Sequence, residues 1–286
     1  MRRGRPSSTA SFVAVMRGLA EFERDSLVAD PYAARLVGGP YRLGLSIAGR
    51  APALTRWALG AASLLSRGKT RHLELRTKAI DDVIVADAPR PLVILGAGLD
   101  ARAHRLEALG DAPVFEVDHP DTQRYKRARL AGAPTARTVR YVPVDFERDD
   151  LERSLVDAGF DRSATASFLW EGVTMYLTEP AVRSTLAALA RLAAPGSTLA
   201  VTYHEPRFRV EGALAHVWVR GVGQPFRLRL TPATLADWLR DVGFQVVSDE
   251  SDEEWARRGL GRTIPSVGER LAVARRVLVD GERNAR

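Results

Sequence analysis

The 286-residue sequence contains no cysteine. This absence excludes disulfide bonds, zinc sites with cysteine ligands, iron–sulfur clusters and thiol nucleophiles. The sequence also lacks the Gly-x-Ser-x-Gly motif that marks the nucleophile of α/β-hydrolases. Its 5 histidines show no metal-ligand spacing, so we predict no metal site. Cysteine-dependent enzymes are thus excluded, and neither an α/β-hydrolase nor a metal enzyme is expected.

Acidic residues are scarce in the first part of the chain. Residues 1–80 contain 14 Lys and Arg residues against 5 Asp and Glu residues. A basic segment could contact nucleic acid, a membrane surface or an anionic substrate. These charges are scattered and form no Lys/Arg block, so we interpret them as solvated and predict no nucleic-acid partner.

Long apolar runs are also lacking. The run at 12–16 is shorter than the roughly 7–15 apolar residues of a secretory signal. Residues 43–66 are apolar enough to resemble a membrane span, but Arg50, Pro52 and Arg56 make hydrocarbon a costly environment for them. We therefore expect a cytoplasmic protein with no membrane partner.

The hydrophobic pattern divides the chain into two parts. Helical periodicity predicts an N-terminal helical extension over residues 1–88. From residue 89 onward, short apolar runs alternate with helical stretches, such as 179–194 and 232–241, which predicts one α/β domain over 89–286. An insertion is predicted over 204–225, beside the carboxyl edge of the sheet. The strand-like runs are 92–95, 114–117, 139–144, 167–170, 198–203, 226–230, 244–248 and 271–278.

A glycine-rich turn follows the first of these runs. Gly96 and Gly98 let the backbone turn tightly and approach a ligand that a β-carbon would block. Asp118 lies 20 residues after Gly98, ends the next run, and could accept hydrogen bonds from a ribose diol. These residues predict a cofactor that contains a nucleoside. Because Ala101 completes a dinucleotide fingerprint, an NAD(P)-dependent oxidoreductase remains the alternative to an S-adenosylmethionine-dependent enzyme.

Acids after the third and fourth runs favour a cationic cofactor. Asp145 and Phe146 follow the third run, where a carboxylate beside an aromatic ring could hold the amino group of adenine and cover its face. Glu171 follows the fourth run. Carboxylates repel the pyrophosphate of NAD but attract the sulfonium and ammonium groups of S-adenosylmethionine. The acids therefore favour S-adenosylmethionine.

At this point the chain resembles the leucine carboxyl methyltransferase family, and more closely its bacterial branch of S-adenosylmethionine-dependent O-methyltransferases, some of which act in polyketide pathways. The resemblance extends over about residues 10–280. It implies a class I, Rossmann-like methyltransferase with a seven-stranded, mostly parallel sheet, helices on both faces and an N-terminal helical cap. It is carried by Arg76-Thr-Lys-Ala-Ile-Asp81-Asp82, Gly96-Ala-Gly98-Leu-Asp100-Ala-Arg102, Phe115-Glu-Val-Asp118-His-Pro120, Asp145-Phe146 and Glu171-Gly-Val-Thr-Met-Tyr176-Leu.

The resemblance also implies a role for each matching residue. Phe146 departs from the family pattern, in which many members have leucine, although an apolar contact is kept. The implied contacts are Arg76 with the methionine carboxylate, Gly96 and Gly98 with the methionine moiety, Asp118 with the ribose, Asp145 and Phe146 with the adenine, and Glu171 with the amino and sulfonium end.

Methyl transfer is an in-line displacement, so most of the catalysis is positioning of two bound reactants. A carboxylate acceptor, with a pKa of about 4, needs no base, whereas a phenol, with a pKa of about 10, would gain from one. No base is obvious beside Glu171, which slightly favours a carboxylate, but Tyr176 and His204 could serve a hydroxyl. We take these three as candidate catalytic residues. The acceptor is predicted to be a small molecule, such as a polyketide-type product of secondary metabolism; its oxygen type and the oligomeric state stay open.

Overall fold

The first part of the chain is helical. The computed structural model describes residues 8–23, 25–133, 138–206 and 226–278. A short 3-10 turn at Lys69–Arg71 leads into the last of the N-terminal helices. These helices lie where the periodicity predicts them. They are α1 (Ser8–Ala20), α2 (Ala33–Leu36), α3 (Gly39–Arg50), α4 (Pro52–Leu65) and α5 (His72–Asp87).

The rest of the chain builds one sheet. Its strands are β1 (Leu92–Leu95), β2 (Val114–Asp118), β3 (Val139–Pro143), β4 (Ser167–Trp170), β5 (Thr198–His204), β6 (Phe244–Ser251) and β7 (Glu269–Arg276). The strand order is β3-β2-β1-β4-β5-β7-β6. Strands β1 to β5 are parallel, and β7 runs antiparallel to both β5 and β6. The expectation of a seven-stranded, mostly parallel sheet is confirmed.

Helices cover both faces of the sheet. Successive side chains of a strand point to opposite faces. Val93 and Leu95 pack with the helices over Leu151–Asp157, Glu179–Leu192 and Pro232–Asp241, whereas Leu92 and Ile94 pack with α5 and the helix over Asp252–Leu260. Helix α5 thus belongs to the core although it precedes the first strand. The helices after β1 are α6 (Arg102–Arg105), α7 (Pro120–Leu130), α8 (Leu151–Asp157), α9 (Glu179–Leu192), α10 (Pro232–Asp241) and α11 (Asp252–Leu260).

One predicted strand, residues 226–230, is wrong, because this run is a loop. Strand β5 already pairs with β4 on one side and with β7 on the other, so it has no free edge for another strand. The N–H groups of Arg227 and Leu228 both donate to the carbonyl of Met175 (2.7 and 3.3 Å), and that of Leu230 donates to the carbonyl of His204 (3.0 Å). The run therefore lies against the end of β5 without joining the sheet.

Two other predicted features concern residues 43–66 and 204–225. The apolar region 43–66 is divided between α3 and α4, and none of the described helices has the length and apolar character needed to cross a membrane. The predicted insertion begins at His204, the last residue of β5. From residue 207 to residue 225 it lies outside the described residues.

Candidate active site

The predicted site residues follow neighbouring strands at one edge of the sheet. Gly96 directly follows β1 and Glu171 directly follows β4, and these strands pair side by side with Leu95 opposite Trp170. Strand order reverses between β1 and β4, and open α/β sheets bind ligands outside the carboxyl ends of the strands at such a point. Asp118 ends β2, on the other side of β1. The sheet therefore brings residues that are far apart in sequence to one crevice.

The glycine turn after β1 has a backbone that other residues would adopt only with strain. Gly96 has φ +68° and Gly98 has φ +49°. A β-carbon on residue 96 would lie 2.3 Å from Cγ2 of Val173, so even alanine would clash there. The Asp118 carboxylate holds this turn, because one oxygen accepts from the N–H of Gly98 and the other from the N–H of His119, both at 2.6 Å.

Burial raises the pKa of Asp118, and the two backbone N–H donors act against that rise. The carboxylate is 9% exposed. Asp118 thus fixes the shape of the glycine turn and lies beside it in the crevice. A role in holding the ribose stays a prediction, and it is compatible with this position.

Glu171 lies between two arginines that come from different helices. Its Oε1 is 2.9 Å from Nη2 of Arg76 on α5, and its Oε2 is 2.6 Å from Nη1 of Arg102 on α6. Arg102 is fully buried, and it also pairs with Asp81 (2.7 Å) and Asp100. Both oxygens of Glu171 are therefore engaged, and the pair Arg76–Glu171 joins two of the predicted residues directly.

The charge network continues to the last strand. Nη1 of Arg76 donates to both oxygens of Glu269 at the start of β7 (3.0 and 3.2 Å). The other face of that carboxylate meets Nε2 of His72 at 2.7 Å, and Nδ1 of His72 lies 3.7 Å from Asp252. Burial by itself would raise the pKa of Glu269, but the charge of Arg76 and the hydrogen bond from His72 hold it below its usual range.

The buried donors of this network fit S-adenosylmethionine. Nε of Arg76 and Nη2 of Arg102 are buried and have no hydrogen-bond partner among the described residues. Buried guanidinium N–H groups require an acceptor, and a ligand carboxylate suits them geometrically. The carboxylates of Asp81, Asp100, Glu171 and Glu269 form ion pairs with three guanidinium groups, those of Arg76, Arg102 and Arg105. The excess of one carboxylate among these pairs favours the cationic groups of the same ligand.

Asp145 and Phe146 stand at the outer end of the crevice. Asp145 is half-buried; its Oδ1 accepts from the N–H of Glu147 (3.1 Å). The ring of Phe146 stacks on Trp170 with centroids 6.5 Å apart. Phe146 therefore packs on the last residue of β4, which immediately precedes Glu171 in the sequence. In the part of the chain that the structure describes, no recorded hydrogen bond or ion pair joins Asp145 to Arg76, Asp118 or Glu171.

Tyr176 and His204 meet at the ring of Phe226. The ring centroid of Phe226 is 5.6 Å from that of Tyr176 and 4.9 Å from that of His204. Burial raises the pKa of Tyr176 and lowers the pKa of His204. His204 pairs opposite Glu269 in the β5–β7 register, which places the two candidate catalytic side chains near the end of the charge network.

The N-terminal helices contact the glycine turn. Arg17 on α1 pairs with Asp30 (2.8 Å) and donates to the carbonyl of Leu99 at 2.5 Å. Ala10 also lies close, because a β-carbon on Gly98 would be 3.4 Å from its Cβ. A division of the chain at residue 88 stays a proposal, and these contacts place α1 against the crevice.

Sequence reasoning gave no role to Arg102, His72 or Glu269. Arg102 belongs to the glycine-turn motif, and its position four residues after Gly98 was a usable signal. Glu269 carried no local signal, since the apolar run predicts a strand that begins only at residue 271. Its partner Arg76 lies 193 residues away in sequence.

The strand order and the crevice define a class I, S-adenosylmethionine-dependent methyltransferase fold. Two solved structures share this fold: a protein from Thermobifida fusca YX assigned as a methyltransferase (17% identity, 96% of both chains, TM-score 0.58) and a DUF574 family protein from Streptomyces avermitilis (18% identity, 86% of this chain and 95% of that chain, TM-score 0.56). At such identities they establish the fold alone.

Sequence comparison identifies the family. The profile of the leucine carboxyl methyltransferase family matches residues 10–190. A relative from Mycolicibacterium smegmatis, assigned as an S-adenosyl-L-methionine-dependent methyltransferase, is 35% identical over 264 residues, which are 88% of this chain and 87% of the relative. One from Mycolicibacterium gilvum with the same assignment is 34% identical over 284 residues, 90% of this chain and 87% of its own. The chain belongs to the leucine carboxyl methyltransferase family, and its cofactor is S-adenosyl-L-methionine. The comparisons give the oxidoreductase alternative no support.

Proposed function

We propose that the protein transfers the methyl group of S-adenosylmethionine to a carboxylate oxygen of a small-molecule acceptor, which produces a methyl ester. The observation that carries this proposal is the engagement of both Glu171 oxygens by Arg76 and Arg102. Both oxygens of Glu171 therefore face arginines rather than the methyl acceptor. An acceptor that is already ionised needs no base.

The cofactor, when bound, supplies an electrophilic methyl carbon on a sulfonium. Arg76 and Arg102 bind its methionine carboxylate through Nε and Nη2, the buried donors that have no partner among the described residues. Asp118 binds the ribose and fixes the glycine turn. Asp145 and Phe146 bind the adenine at the outer end of the crevice. Positioning of this kind supplies most of the catalysis of an in-line displacement.

Tyr176 is poorly suited to be a base. Burial raises the pKa of its phenol, so the group keeps its proton at neutral pH. It instead packs against the ring of Phe226. This supports an acceptor that arrives as an anion.

A hydroxyl acceptor is the second candidate, because one group could accept its proton. Burial lowers the pKa of His204, so its imidazole is neutral at pH 7 and carries a basic nitrogen. In this case His204 is the general base and the product is an ether. A polyketide-type acceptor stays a prediction from the sequence resemblance for either product.

Product chemistry and a His204→Gln variant separate the two candidates. The enzyme is incubated with methyl-labelled S-adenosylmethionine and a panel of paired acids and phenols, and the labelled product is treated with alkali. An alkali-labile ester, with kcat in His204→Gln within about threefold of wild type, supports carboxylate methylation. An alkali-stable ether, with kcat reduced about 100-fold or more in the variant, contradicts it and assigns His204 as the base.

A further inference from the structure

Helices α3 and α4 expose large apolar side chains to solvent. Leu54, Trp57, Leu64 and Leu65 on α4 are 65%, 72%, 81% and 86% exposed. Such side chains are not spread evenly over the molecule. The other exposed large apolar residues that the structure describes outside this hairpin are less exposed single valines, namely Val85, Val156, Val247 and Val277. A concentrated apolar surface marks an interaction site.

The exposed side chains lie on the outward faces of the two helices. On α3, Leu43 and Ile47 are four residues apart and so share a face, while Leu45 and Ala48 on the opposite face are buried. The same geometry holds on α4, where Leu54, Trp57 and Leu65 share the outward face and Ser63 is buried opposite them. The hydroxyl of Thr55 donates to the carbonyl of Ala48 (3.0 Å), which ties the two helices together. Both helices therefore expose apolar side chains, and Trp57 and Leu64 also line the groove between α4 and the protein body.

The charged residues of the hairpin itself have one sign. Residues 31–73 contain 7 Lys and Arg residues and no Asp or Glu. Arg42 and Arg50 on α3, Arg56 on α4 and Arg67 after it are exposed. Apolar side chains with interfacial tryptophan on one side, surrounded by arginine, are typical of helices that lie in the surface of an anionic membrane.

A groove of about 1090 Å³ beside α4 brings some acids near this surface. Glu23, Asp25 and Glu253 line it. The guanidinium groups of Arg56, Arg67, Arg71 and Arg262 line the same groove, so its charge is balanced by arginine rather than acidic. The acids therefore do not reverse the positive character of the hairpin.

We propose that the outward face of the α3–α4 hairpin docks on an anionic lipid bilayer. A second copy of this chain is a poorer occupant, since a symmetric contact would bring two arginine-rich hairpins together. The 14 residues of α4 make a helix of about 21 Å. The helices lie along the interface, with Trp57 and the leucines at the level of the headgroups and the arginines beside the lipid phosphates. Arg50, Pro52 and Arg56 oppose a spanning helix, which was the ground for expecting no membrane partner, but they do not oppose a helix at the surface.

Co-sedimentation with vesicles tests this proposal and does not depend on the methyl acceptor. Full-length protein is mixed with vesicles of phosphatidylcholine alone or with added phosphatidylglycerol, at low and high salt. We expect binding to the anionic vesicles that falls as salt rises. A Leu64→Ser/Leu65→Ser variant should bind at least about tenfold more weakly. The matched control Val156→Ser/Val247→Ser removes two exposed apolar side chains elsewhere and should bind like wild type.

A second variant and a second measurement separate the remaining outcomes. Arg50→Gln/Arg56→Gln keeps the apolar face and should lose most of the preference for anionic vesicles, while circular dichroism and the thermal midpoint check that every variant is folded. Lack of binding to either vesicle, or equal binding by wild type and the leucine variant, overturns the proposal. Self-association of wild type that the leucine variant abolishes, without vesicle binding, overturns it in favour of a second copy.

Discussion

The carboxylate of Glu171 bridges Arg76 and Arg102, at 2.9 Å from the first guanidinium and 2.6 Å from the second. The two arginines come from helices on either side of β1 in sequence, and Glu171 follows β4. This one side chain therefore joins the helical part of the chain to the switch point of the sheet. It also orients the unpaired donors that are proposed to bind the methionine carboxylate.

Glu171→Gln should weaken both binding and folding. The amide keeps the shape but leaves two buried guanidinium groups without their charged partner. We expect the Kd for S-adenosylhomocysteine to rise at least about tenfold, or about 1.4 kcal/mol, and the free energy of unfolding to fall by about 1–3 kcal/mol. Calorimetric titration and urea denaturation measure the two quantities.

The matched control for this variant is Glu179→Gln on α9. Glu179 also pairs with an arginine, Arg183 at 2.9 Å, but both side chains are about half exposed. Its substitution should change the free energy of unfolding by no more than about 0.5 kcal/mol. If the two substitutions changed the free energy of unfolding equally, the buried ion pairs of Glu171 would contribute no more to stability than an exposed pair.

Gly96→Ala should disrupt the glycine turn. The added β-carbon meets Val173 at 2.3 Å in a backbone with φ +68°, so both a clash and strain result. Gly132→Ala is the control, since it has φ +73° but open space around the β-carbon. We expect about 1 kcal/mol of destabilisation for Gly132→Ala and a larger loss, with loss of S-adenosylhomocysteine binding, for Gly96→Ala. Val173→Ala should restore part of the stability of Gly96→Ala; no such recovery would argue against the clash.

The contribution of Glu269 to the free energy of unfolding should decrease at acid pH. Burial opposes its ionisation, but Arg76 and His72 hold its pKa below the value of about 4.3 that an unfolded chain shows. The unfolded state thus binds more protons than the folded state as the pH falls below that value, so stability is lost with falling pH. The stability difference between wild type and Glu269→Gln should therefore shrink below about pH 4.3. Urea denaturation across this range measures it, and a difference independent of pH would refute the prediction.

Lys126→Met should leave a buried charge unpaired. Nζ of Lys126 lies 2.6 Å from Oε2 of Glu116, and both side chains are 1% exposed. Burial raises the pKa of Glu116, and Lys126 opposes that rise. We expect the single variant to lose about 3–5 kcal/mol of unfolding free energy, and Glu116→Leu/Lys126→Met to recover most of it. If the double variant were no more stable than the single one, the pair would not be the cause.

The fold was accessible from the sequence because its signals are local. Buried parallel strands such as Leu92–Leu95 and Ser167–Trp170 are continuous apolar runs of the same length in the structure. Residues 226–230 have the same texture but form a loop, because β5 has neighbours on both sides. The hydrophobic pattern indicates that a segment is apolar and extended. It does not indicate whether the sheet has a strand with a free edge to which the segment could pair.

The candidate site was accessible only in part, for a related reason. Gly96, Asp118 and Glu171 each end or follow a strand, so their shared edge follows from the parallel sheet. Arg76 and Glu269 are far apart in the sequence, and the residues around neither of them indicate that the two form a pair. The ion pair matters because both side chains are buried. Burial arises only when the chain folds, so the local sequence does not show it.

Calorimetric titration of S-adenosylhomocysteine into wild type and Asp118→Asn tests the cofactor site most directly. Asp237→Asn, an exposed aspartate paired with Arg240 at 2.8 Å, serves as the control, and NAD⁺ is titrated in parallel. We predict that wild type and the control bind S-adenosylhomocysteine alike, that Asp118→Asn binds at least about tenfold more weakly, and that NAD⁺ gives no binding. Unchanged affinity in Asp118→Asn would contradict the proposed site, and binding of NAD⁺ alone would contradict the account as a whole.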